Sequence, residues 1–524
     1  MTESDWLRYL LPLPRQVKIP RSVTCSRKAV RVAAAGPADE VLEEAVALLT
    51  EAVGHRCEEG PRLTITLGRV GDLDAVDEDR LAEARHPGQA YVITCPSEAE
   101  IVIAGGSSVG ALYGAVTLAQ LLEASAGADS LEVPLAEIVD WPEIEERGVW
   151  NFPDEQSWVP WMAGLKLNYG KMAGTGLGRV ERGRPVSAEI DADLMVRARR
   201  RGFAYVPMIT HLNFLHDTGI FRAYPELAGR GDAALAGRYF AHKLGNQHRA
   251  PCASQPVLVD LLTGWMLSIC EQGAREIGCW LSERPCQCQC ERCTPVGQFV
   301  LETRAFVAAW ERARRDYPAL VIRIFSSTTT HEQDERVLAE MPEEVRFERA
   351  CATAMERWRH LPRDRFANPC LDAAAAAGRW IASYDVPLQA YGNVDTPEFK
   401  VPQFSAQRVR DFVEQLARRG YAGAYGMMAW GNLTRETSGF SVSALAEYAW
   451  NPGGRSVREF AEAWATREGL SDPAAVGAWA ELLGEVEFDV YDSDFPMCWS
   501  WGHAAAMVEE GRAPRFGDGM FRHF

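Results

Sequence analysis

A strand pattern followed by a helix pattern repeats eight times between residues 147 and 431, and this repetition limits the possible folds more than any other feature. Each short apolar segment precedes an amphipathic segment with helical spacing, and several of these segments end in Gly, as helices often do. Eight such units in about 300 residues predict a (β/α)8 barrel, also called a TIM barrel. A doubly wound sheet is the alternative, but no Gly-rich phosphate loop follows the first strand. The predicted strands are 147–152, 166–172, 203–211, 277–283, 320–327, 344–351, 386–394 and 421–431.

Shorter elements surround the predicted barrel, because 524 residues are too many for one hydrophobic core. Strand patterns at 62–68, 90–95 and 100–106, followed by a helix pattern with Ser107 or Ser108 as its N-cap, indicate a small α/β domain. The next segment, residues 133–147, is expected to be an extended linker. The predicted divisions are an N-terminal domain over 1–140, the barrel over 141–450 and a helical C-terminal extension over 451–524.

Composition and charge exclude several classes of protein. The net charge of −17 would repel a phosphate backbone, so nucleic-acid binding is not expected. No stretch approaches the roughly 20 apolar residues of a membrane span, so no membrane association is expected. The acidic start of the chain lacks the basic and apolar regions of a signal peptide. Most of the 13 cysteines stand singly in apolar segments, which favours reduced thiols, so we expect a cytoplasmic protein.

Carboxyl groups at the strand ends supply the candidate catalytic residues, because the C-terminal ends of barrel strands face the pocket. Glu283 follows an apolar strand, where burial would raise the pKa of its carboxyl group and suit it to a general acid. Asp395 and Glu348 are candidates for the second carboxylate. Because Arg346 and Arg349 flank Glu348 within a strand, an ion pair is the alternative for Glu348. An acid paired with a second carboxylate is the arrangement that cleaves glycosidic bonds.

Polar and aromatic side chains near the same strand ends are candidate substrate-binding residues. The fork of donors on Arg147 suits a sugar hydroxyl, and aromatic faces such as that of Trp430 stack on sugar rings. His211, at the end of the third strand, is either a hydrogen-bonding group of the pocket or a core histidine. Trp499 and Trp501 lie in an aromatic tail that either packs within the chain or closes the pocket of a partner in a homodimer. The full set of candidates is Arg147, His211, Ser282, Tyr391, Asn393 and Trp430.

Four cysteines follow Glu283 within eight positions, in the pattern C-x-C-x-C-x-x-C. Thiolates at this density favour a structural zinc ion, and C-x-x-C is a common half of a zinc site. Four ligands from so short a segment would be cramped, so a more distant ligand such as Cys252 or His248 is an alternative to one of them. Free thiols and a disulfide are the other interpretations. The four residues are Cys286, Cys288, Cys290 and Cys293.

At these residues the chain resembles the family 20 glycoside hydrolases, the β-N-acetylhexosaminidases. "QAYVITC" and "IVIAGGSSVGALYGAVTLAQLL" are similar to the small N-terminal domain of that family, which implies an α+β domain of the zincin-like type. "ERGVWNF" resembles the first strand of the family barrel, where the Arg of an R-G pair contacts the sugar, and this implies that role for Arg147. "GCWLSE" resembles the fourth strand, and the resemblance implies that Glu283 is the acid. "VPMITH" is similar to the third strand of the family, which implies that His211 lies at the pocket, and Tyr391 and Trp430 loosely match aromatic residues of the seventh and eighth strands.

The sequence departs from the family pattern at two positions. Ser282 precedes the acid where the family has Asp, and that Asp orients the acetamido group of the substrate, which itself acts as the nucleophile. Asn151 likewise stands where the first strand of the family has Asp. The cysteine-rich loop is not a hexosaminidase feature and resembles a loop of distant barrel relatives.

The predicted function is therefore that of an exo-acting, hexosaminidase-like glycoside hydrolase that acts on an oligosaccharide or glycoside with Glu283 as general acid. If the sugar carries a 2-acetamido group, Ser282 or Asp395 orients that group; otherwise Asp395 or Glu348 is the nucleophile or base. No cofactor is expected for catalysis. A catalytically inactive carbohydrate-binding barrel is the alternative. A metal-dependent hydrolase is disfavoured because no His-rich cluster lies at the strand ends.

Overall fold

The chain is described by a computed structural model that covers most of its 524 residues. The residues outside the description are 59, 77, 126, 128, 151, 153, 236–248, 283–286, 328–330, 351–368, 387, 389–404, 428–434, 492–508 and 512–524. Within the part that is described, no helix is both long enough and apolar enough to cross a membrane.

The N-terminal domain is a six-stranded mixed sheet with the strand order β1-β6-β4-β5-β3-β2. Helices α2 and α3 cover one face of the sheet, and Leu42 and Leu49 of α2 pack with Leu112 of α3 in its core. The loop between β3 and β4 packs Val76 and Leu81 on the other face. The elements are α1 Glu3–Leu7, β1 Gln16–Ser26, β2 Val30–Ala34, α2 Glu40–Val53, β3 Leu63–Arg69, β4 Tyr91–Ser97, β5 Glu100–Gly105, α3 Ser108–Leu122 and β6 Ser130–Asp140.

Residues 133–147 do not form the extended linker that the sequence predicted. Most of it belongs to β6, which pairs antiparallel with β1 and with β4. The sequence pattern hid this strand because Pro134 looks like a break and the run that follows does not alternate. In the sheet, residues 133–136 are all buried, and Val133, Leu135 and Ala136 belong to the core of the N-terminal domain. The sheet ends at Asp140, and the first barrel strand begins at Glu146.

Eight parallel strands form a closed barrel in the order β7-β8-β11-β12-β13-β14-β15-β16, and β16 pairs with β7 to complete it. The predicted fold class is therefore confirmed. A short hairpin of β9 Gly176–Leu177 and β10 Ala188–Glu189 lies after the second barrel strand. The barrel strands are β7 Glu146–Trp150, β8 Tyr169–Met172, β11 Ala204–Ile209, β12 Glu276–Trp280, β13 Val321–Ser326, β14 Arg346–Arg349, β15 Ile381–Val386 and β16 Gly423–Met427.

Helices surround the barrel and bury its outward-facing side chains in one continuous apolar layer. Helix α11 illustrates the pattern, because Val409, Phe412 and Leu416 recur at helical spacing and are all buried. The helices in the barrel region are α4 Glu155–Gly164, α5 Ala192–Arg200, α6 Ile220–Ala223, α7 Pro256–Glu271, α8 Gln298–Ala313, α9 His331–Leu338, α10 Pro369–Ala376, α11 Ala406–Arg418 and α12 Arg435–Trp450.

The seventh barrel strand lies earlier in the chain than the sequence predicted. It spans Ile381–Val386 rather than 386–394. The alanine-rich run before it forms α10, and Gly378, with φ +87°, ends that helical segment and lets the strand follow at once. Tyr391, Asn393 and Asp395, which were predicted to belong to this strand, lie outside the described residues.

The C-terminal region continues as helices α13 Val457–Arg467 and α14 Pro473–Tyr491, which confirms the helical extension. Trp450, at the end of α12, inserts into the core of the N-terminal domain, where its ring meets that of Tyr113 edge-on with 5.3 Å between centroids. The indole N–H of Trp450 donates to the buried carboxylate of Asp140 at 2.9 Å. The barrel and the N-terminal domain are thus joined through a buried contact.

Candidate active site

Aromatic side chains form the floor of the barrel mouth. Because side chains alternate along a strand, every second residue points into the barrel, and the last such residue of several strands is aromatic. We call Trp150, Trp280, Phe325 and Tyr384 the aromatic floor, and these four rings contact one another with centroids 4.4–6.4 Å apart. They come from four different strands, β7, β12, β13 and β15. Trp150 is half-buried and the other three rings are buried. Aromatic faces of this kind can stack on the apolar face of a sugar ring.

Lys171 of β8 lies within the aromatic floor. Its Nζ atom is 3.7 Å from the centroid of Phe325 and 4.0 Å from the centroids of Trp280 and Tyr384. The side chain is 3% exposed, and Nζ is 3.5 Å from a carboxylate oxygen of Glu348. Burial lowers the pKa of Lys171 to about 7, although Glu348 acts in the opposite direction. This lysine was missed in the sequence analysis, where the only available signal was a lone Lys at an inward-facing position of a strand.

Glu348, predicted as a candidate nucleophile or base, is held below the aromatic floor by hydrogen bonds. One carboxylate oxygen accepts hydrogen bonds from Arg323 Nη1 and from the hydroxyl of Tyr169, both at 3.0 Å. The other oxygen accepts from the hydroxyl of Tyr384 at 3.2 Å. These donors and the nearby Lys171 engage both carboxylate oxygens, so Glu348 links several strands within the barrel interior. The ion pair that the sequence left open for Glu348 does form, but with Arg323 and Lys171.

Arg323 is the centre of this interior network. Its guanidinium is fully buried, and Nη2 donates to Glu146 at 2.7 Å and to Glu276 at 2.9 Å. Arg346 completes the lower layer through a hydrogen bond of 2.8 Å to Glu276. The three carboxylates are paired with these two arginines and, at Glu348, with the nearby Lys171, so the buried charges have partners within the group.

Arg147, which the sequence analysis expected to contact the sugar, does not face the barrel mouth. It is the second residue of β7, so its side chain points outward, opposite to those of Glu146 and Trp150. The guanidinium is fully buried and donates to the carbonyl oxygens of Lys166 and Ile144, both at 2.7 Å. Its charge lies 5.0 Å from the ring centroid of Trp450, at the contact with the N-terminal domain. Arg147 is therefore a structural residue of the domain interface.

His211 lies at the mouth, just after β11. Its Nδ1 atom donates to the carbonyl oxygen of Leu281 at 2.5 Å, and its ring centroid is 4.6 Å from that of Trp280. Burial lowers the pKa of His211 to about 3, so the imidazole is neutral at physiological pH. Because Nδ1 carries the proton, Nε2 is the acceptor nitrogen. The predicted contact of His211 with the substrate stays a prediction.

Ser282, predicted as a substrate-binding residue, is hydrogen-bonded to helix α8. Its backbone N–H donates to Glu302 Oε2 at 2.7 Å, and its hydroxyl donates to Oε1 of the same carboxylate at 2.5 Å. Gln298, one turn earlier on α8, donates to Oε1 as well, at 2.6 Å. Burial raises the pKa of Glu302 to about 7, against the opposing effect of these hydrogen bonds. The end of the fourth strand is thus fixed immediately before Glu283.

Glu302 and Gln298 were not found from the sequence. The only signal was a pair of polar residues spaced four apart on the otherwise apolar face of α8.

Several predicted site residues lie outside the described residues, so their positions are not given by the structure. These are Glu283, Asp395, Tyr391, Asn393, Trp430 and Cys286.

Three of the four cysteines predicted to bind zinc gather with a fourth, distant one. Cys288, Cys290 and Cys293 converge with Cys252, the alternative ligand that the sequence analysis considered. Among the cysteines that the structure describes, none forms a disulfide.

The closed parallel barrel, together with the N-terminal sheet domain, defines the class as an α/β barrel protein with an accessory domain. Residues 8–141 match the family model described as "Glycosyl hydrolase family 20, domain 2". The resemblance drawn from the sequence is thereby confirmed for this domain and for the fold. No sequence match was found among curated proteins.

Solved structures of β-N-acetylhexosaminidases share this architecture. The exo-β-N-acetylglucosaminidase from Vibrio harveyi in complex with N-acetylglucosamine has a TM-score of 0.63 at 15% identity, covering 91% of this chain and 78% of that chain. The enzyme from Bacteroides fragilis NCTC 9343 has a TM-score of 0.60 at 13% identity, covering 94% and 99%. The enzyme from Streptomyces coelicolor A3(2) has a TM-score of 0.56 at 16% identity, covering 88% and 97%. At these identities the likeness establishes a shared fold.

Proposed function

We propose that the protein is an exo-acting, hexosaminidase-like glycoside hydrolase and that Glu283 is its general acid. The observation that carries this proposal is the anchoring of the fourth strand end. Ser282 is fixed by Glu302, and Leu281 by His211, directly before Glu283 and beside the aromatic floor. The family 20 match of residues 8–141 and the hexosaminidase structures support the same reaction class.

In this proposal the terminal sugar stacks on the aromatic floor while Glu283 protonates the glycosidic oxygen. The second group must come from elsewhere than Glu348, because that carboxylate is already bound by Arg323 and two tyrosines. The hydroxyl of Ser282 is likewise engaged by Glu302. If the sugar carries a 2-acetamido group, Asp395 orients it and the substrate supplies the nucleophile; otherwise Asp395 itself is the nucleophile or base.

The test compares Glu283→Gln with the wild-type protein on a panel of aryl glycosides with and without a 2-acetamido group. Loss of a general acid is expected to lower kcat/KM by about 10²–10⁴-fold. The loss should grow as the pKa of the leaving phenol rises, since poorer leaving groups depend more on protonation. Glu291→Gln is the matched control, because Glu291 is an exposed carboxylate of the following loop. If Glu283→Gln keeps wild-type kcat/KM on every hydrolysed substrate, Glu283 is not the acid.

A catalytically inactive carbohydrate-binding barrel is the second candidate. It is favoured by one observation, namely that Ser282 and Glu348 are both held in structural contacts and cannot replace the missing carboxylate partner. In that case calorimetry would detect binding of N-acetylglucosamine or a related sugar, while no member of the aryl glycoside panel would be cleaved. Measurable turnover by the wild-type protein excludes this candidate.

A further inference from the structure

Four thiol groups from two separate segments converge beside the candidate active site. Cys252 lies just before helix α7, and Cys288, Cys290 and Cys293 lie in the loop between β12 and α8. Their Sγ atoms all lie within 4.8 Å of one another. We call these residues the four-thiol cluster, and we propose that it binds one structural zinc ion.

The spacing of the sulfur atoms fits a tetrahedral zinc site. Zinc–sulfur bonds of about 2.3 Å in a tetrahedron place the sulfurs about 3.8 Å apart. The Sγ atom of Cys252 is 3.7 Å from those of Cys290 and Cys293. A disulfide would join only two of the four thiols and leave two buried ones close together. A four-iron cluster would hold its thiolates farther apart than 4.8 Å, because the iron–sulfide core lies between them.

Burial and hydrogen bonding also fit a closed structural site. Cys288 and Cys293 have no exposed surface, and Cys252 is 3% exposed. The backbone N–H of Arg230 donates to the sulfur of Cys288 at 3.3 Å, and the hydroxyl of Ser254 lies 3.3 Å from the sulfur of Cys252. Such donors stabilise the negative charge of thiolates around a metal ion. With all four positions taken by sulfur, no coordination site is left for water or substrate, so the ion is not catalytic.

The zinc ion would fasten the loop that follows the fourth strand to the long excursion after the third. Cys252 is already held in that excursion by a hydrogen bond of 2.7 Å to the carbonyl of Leu227. On the other side, the N–H of Cys288 donates to Gln298 at 3.2 Å, and Gln298 donates to Glu302, the partner of Ser282. One metal ion thus connects two insertions and braces the end of the fourth strand. This inference does not depend on the reaction that the barrel performs.

The experiment is metal analysis of the full-length protein purified without chelators. Elemental mass spectrometry is expected to find about one zinc per chain in the wild type and less than about a tenth of that in Cys252→Ser and Cys288→Ser. Cys286→Ser is the sharpest control, because the four-thiol cluster leaves Cys286 no coordination position, so it should keep its zinc. Cys95→Ser, in the N-terminal domain, should keep it as well.

A second measurement covers the case in which the cluster variants fail to fold. Titrating the native wild-type protein with a thiol-specific mercurial should release the zinc to a chromophoric chelator as the four-thiol cluster reacts, while far-ultraviolet circular dichroism monitors the fold. Replacement by cobalt should give the intense visible absorption of a tetrahedral tetrathiolate complex. A wild-type protein without bound zinc, stoichiometric iron in its place, or zinc lost from Cys286→Ser but kept in Cys252→Ser would each overturn the proposal.

Discussion

Replacing Lys171 with Met is expected to stabilise the protein, and most strongly at low pH. Burial among the rings of the aromatic floor lowers the pKa of Lys171 from the ordinary 10.5 to about 7. Each pKa unit corresponds to about 1.4 kcal/mol, so the charged lysine costs the folded protein about 5 kcal/mol. The side chain is almost fully buried, and solvent screening therefore does not reduce this figure appreciably. Met has a similar length, and its sulfur packs well against aromatic rings.

The pH dependence has a defined sign. Between pH 7 and 10.5 the unfolded chain holds a proton on Lys171 that the folded protein has released, so the free energy of unfolding rises with pH across this window. The penalty is complete below about pH 7 and vanishes above about pH 10.5. Lys171→Met removes the penalty. The stability gained by the variant should therefore be about 5 kcal/mol near pH 6 and should fall toward zero near pH 10.5.

Urea unfolding followed by circular dichroism at pH 6, 8 and 10 measures this difference. Other groups also titrate in this range, but they do so in both proteins and cancel in the comparison. Lys28→Met is the matched control, because Lys28 is an exposed residue paired with Glu58 and should show no such pH-dependent gain. A Lys171→Met variant that is less stable than the wild type at pH 6, or whose difference from the wild type does not change with pH, would refute the reasoning.

Three further variants test the structural assignments. Arg147→Met should lower the free energy of unfolding by about 3–5 kcal/mol, because buried carbonyl groups lose their donor, while KM for an aryl glycoside stays unchanged; urea unfolding and kinetics measure the two effects. Arg323→Met removes the nearest counter-ion of the buried carboxylates Glu146 and Glu348, so a loss of at least about 3 kcal/mol is expected by the same unfolding assay. The pKa of Glu302 is raised from 4.5 to about 7, so the wild type loses stability as pH rises through that window; Glu302→Gln should flatten this dependence in melting curves between pH 4.5 and 7.5. A KM change in Arg147→Met, wild-type stability in Arg323→Met, or an unaltered pH profile in Glu302→Gln would contradict the respective assignment.

The barrel could be predicted from the sequence because its signals are local. A few neighbouring residues are enough to recognise an apolar strand segment such as residues 277–280, or the helical repeat of apolar residues in α11. Eight repeats of a strand followed by a helix are compatible with few folds, so an error in a single element does not change the predicted barrel. The strands that were missed or shifted, β6 and β15, lack a clean period or follow an alanine-rich helix directly. In both cases the neighbouring strands, and not the segment itself, decided the conformation.

The direction of a side chain at the barrel mouth was harder to predict, because it depends on strand parity. Arg147 and Glu146 are adjacent in β7, yet one points to the domain interface and the other into the barrel. A shift of one residue exchanges the two faces, and the sequence does not fix the strand boundary that closely. Glu348 was placed on the correct face, but its partner Arg323 lies on another strand, where no local pattern revealed it.

The sequence by itself determined the order of elements, the barrel, the helical extension and the crowding of cysteines after the fourth strand, because each of these can be recognised from residues that are neighbours in the chain. Tertiary structure alone decided which groups meet. It brought Cys252 to thiols more than thirty positions away, closed four aromatic rings around Lys171, and tied Ser282 to a carboxylate on the next helix. These residues are far apart along the chain, so the contacts between them form only when the backbone folds into the closed barrel.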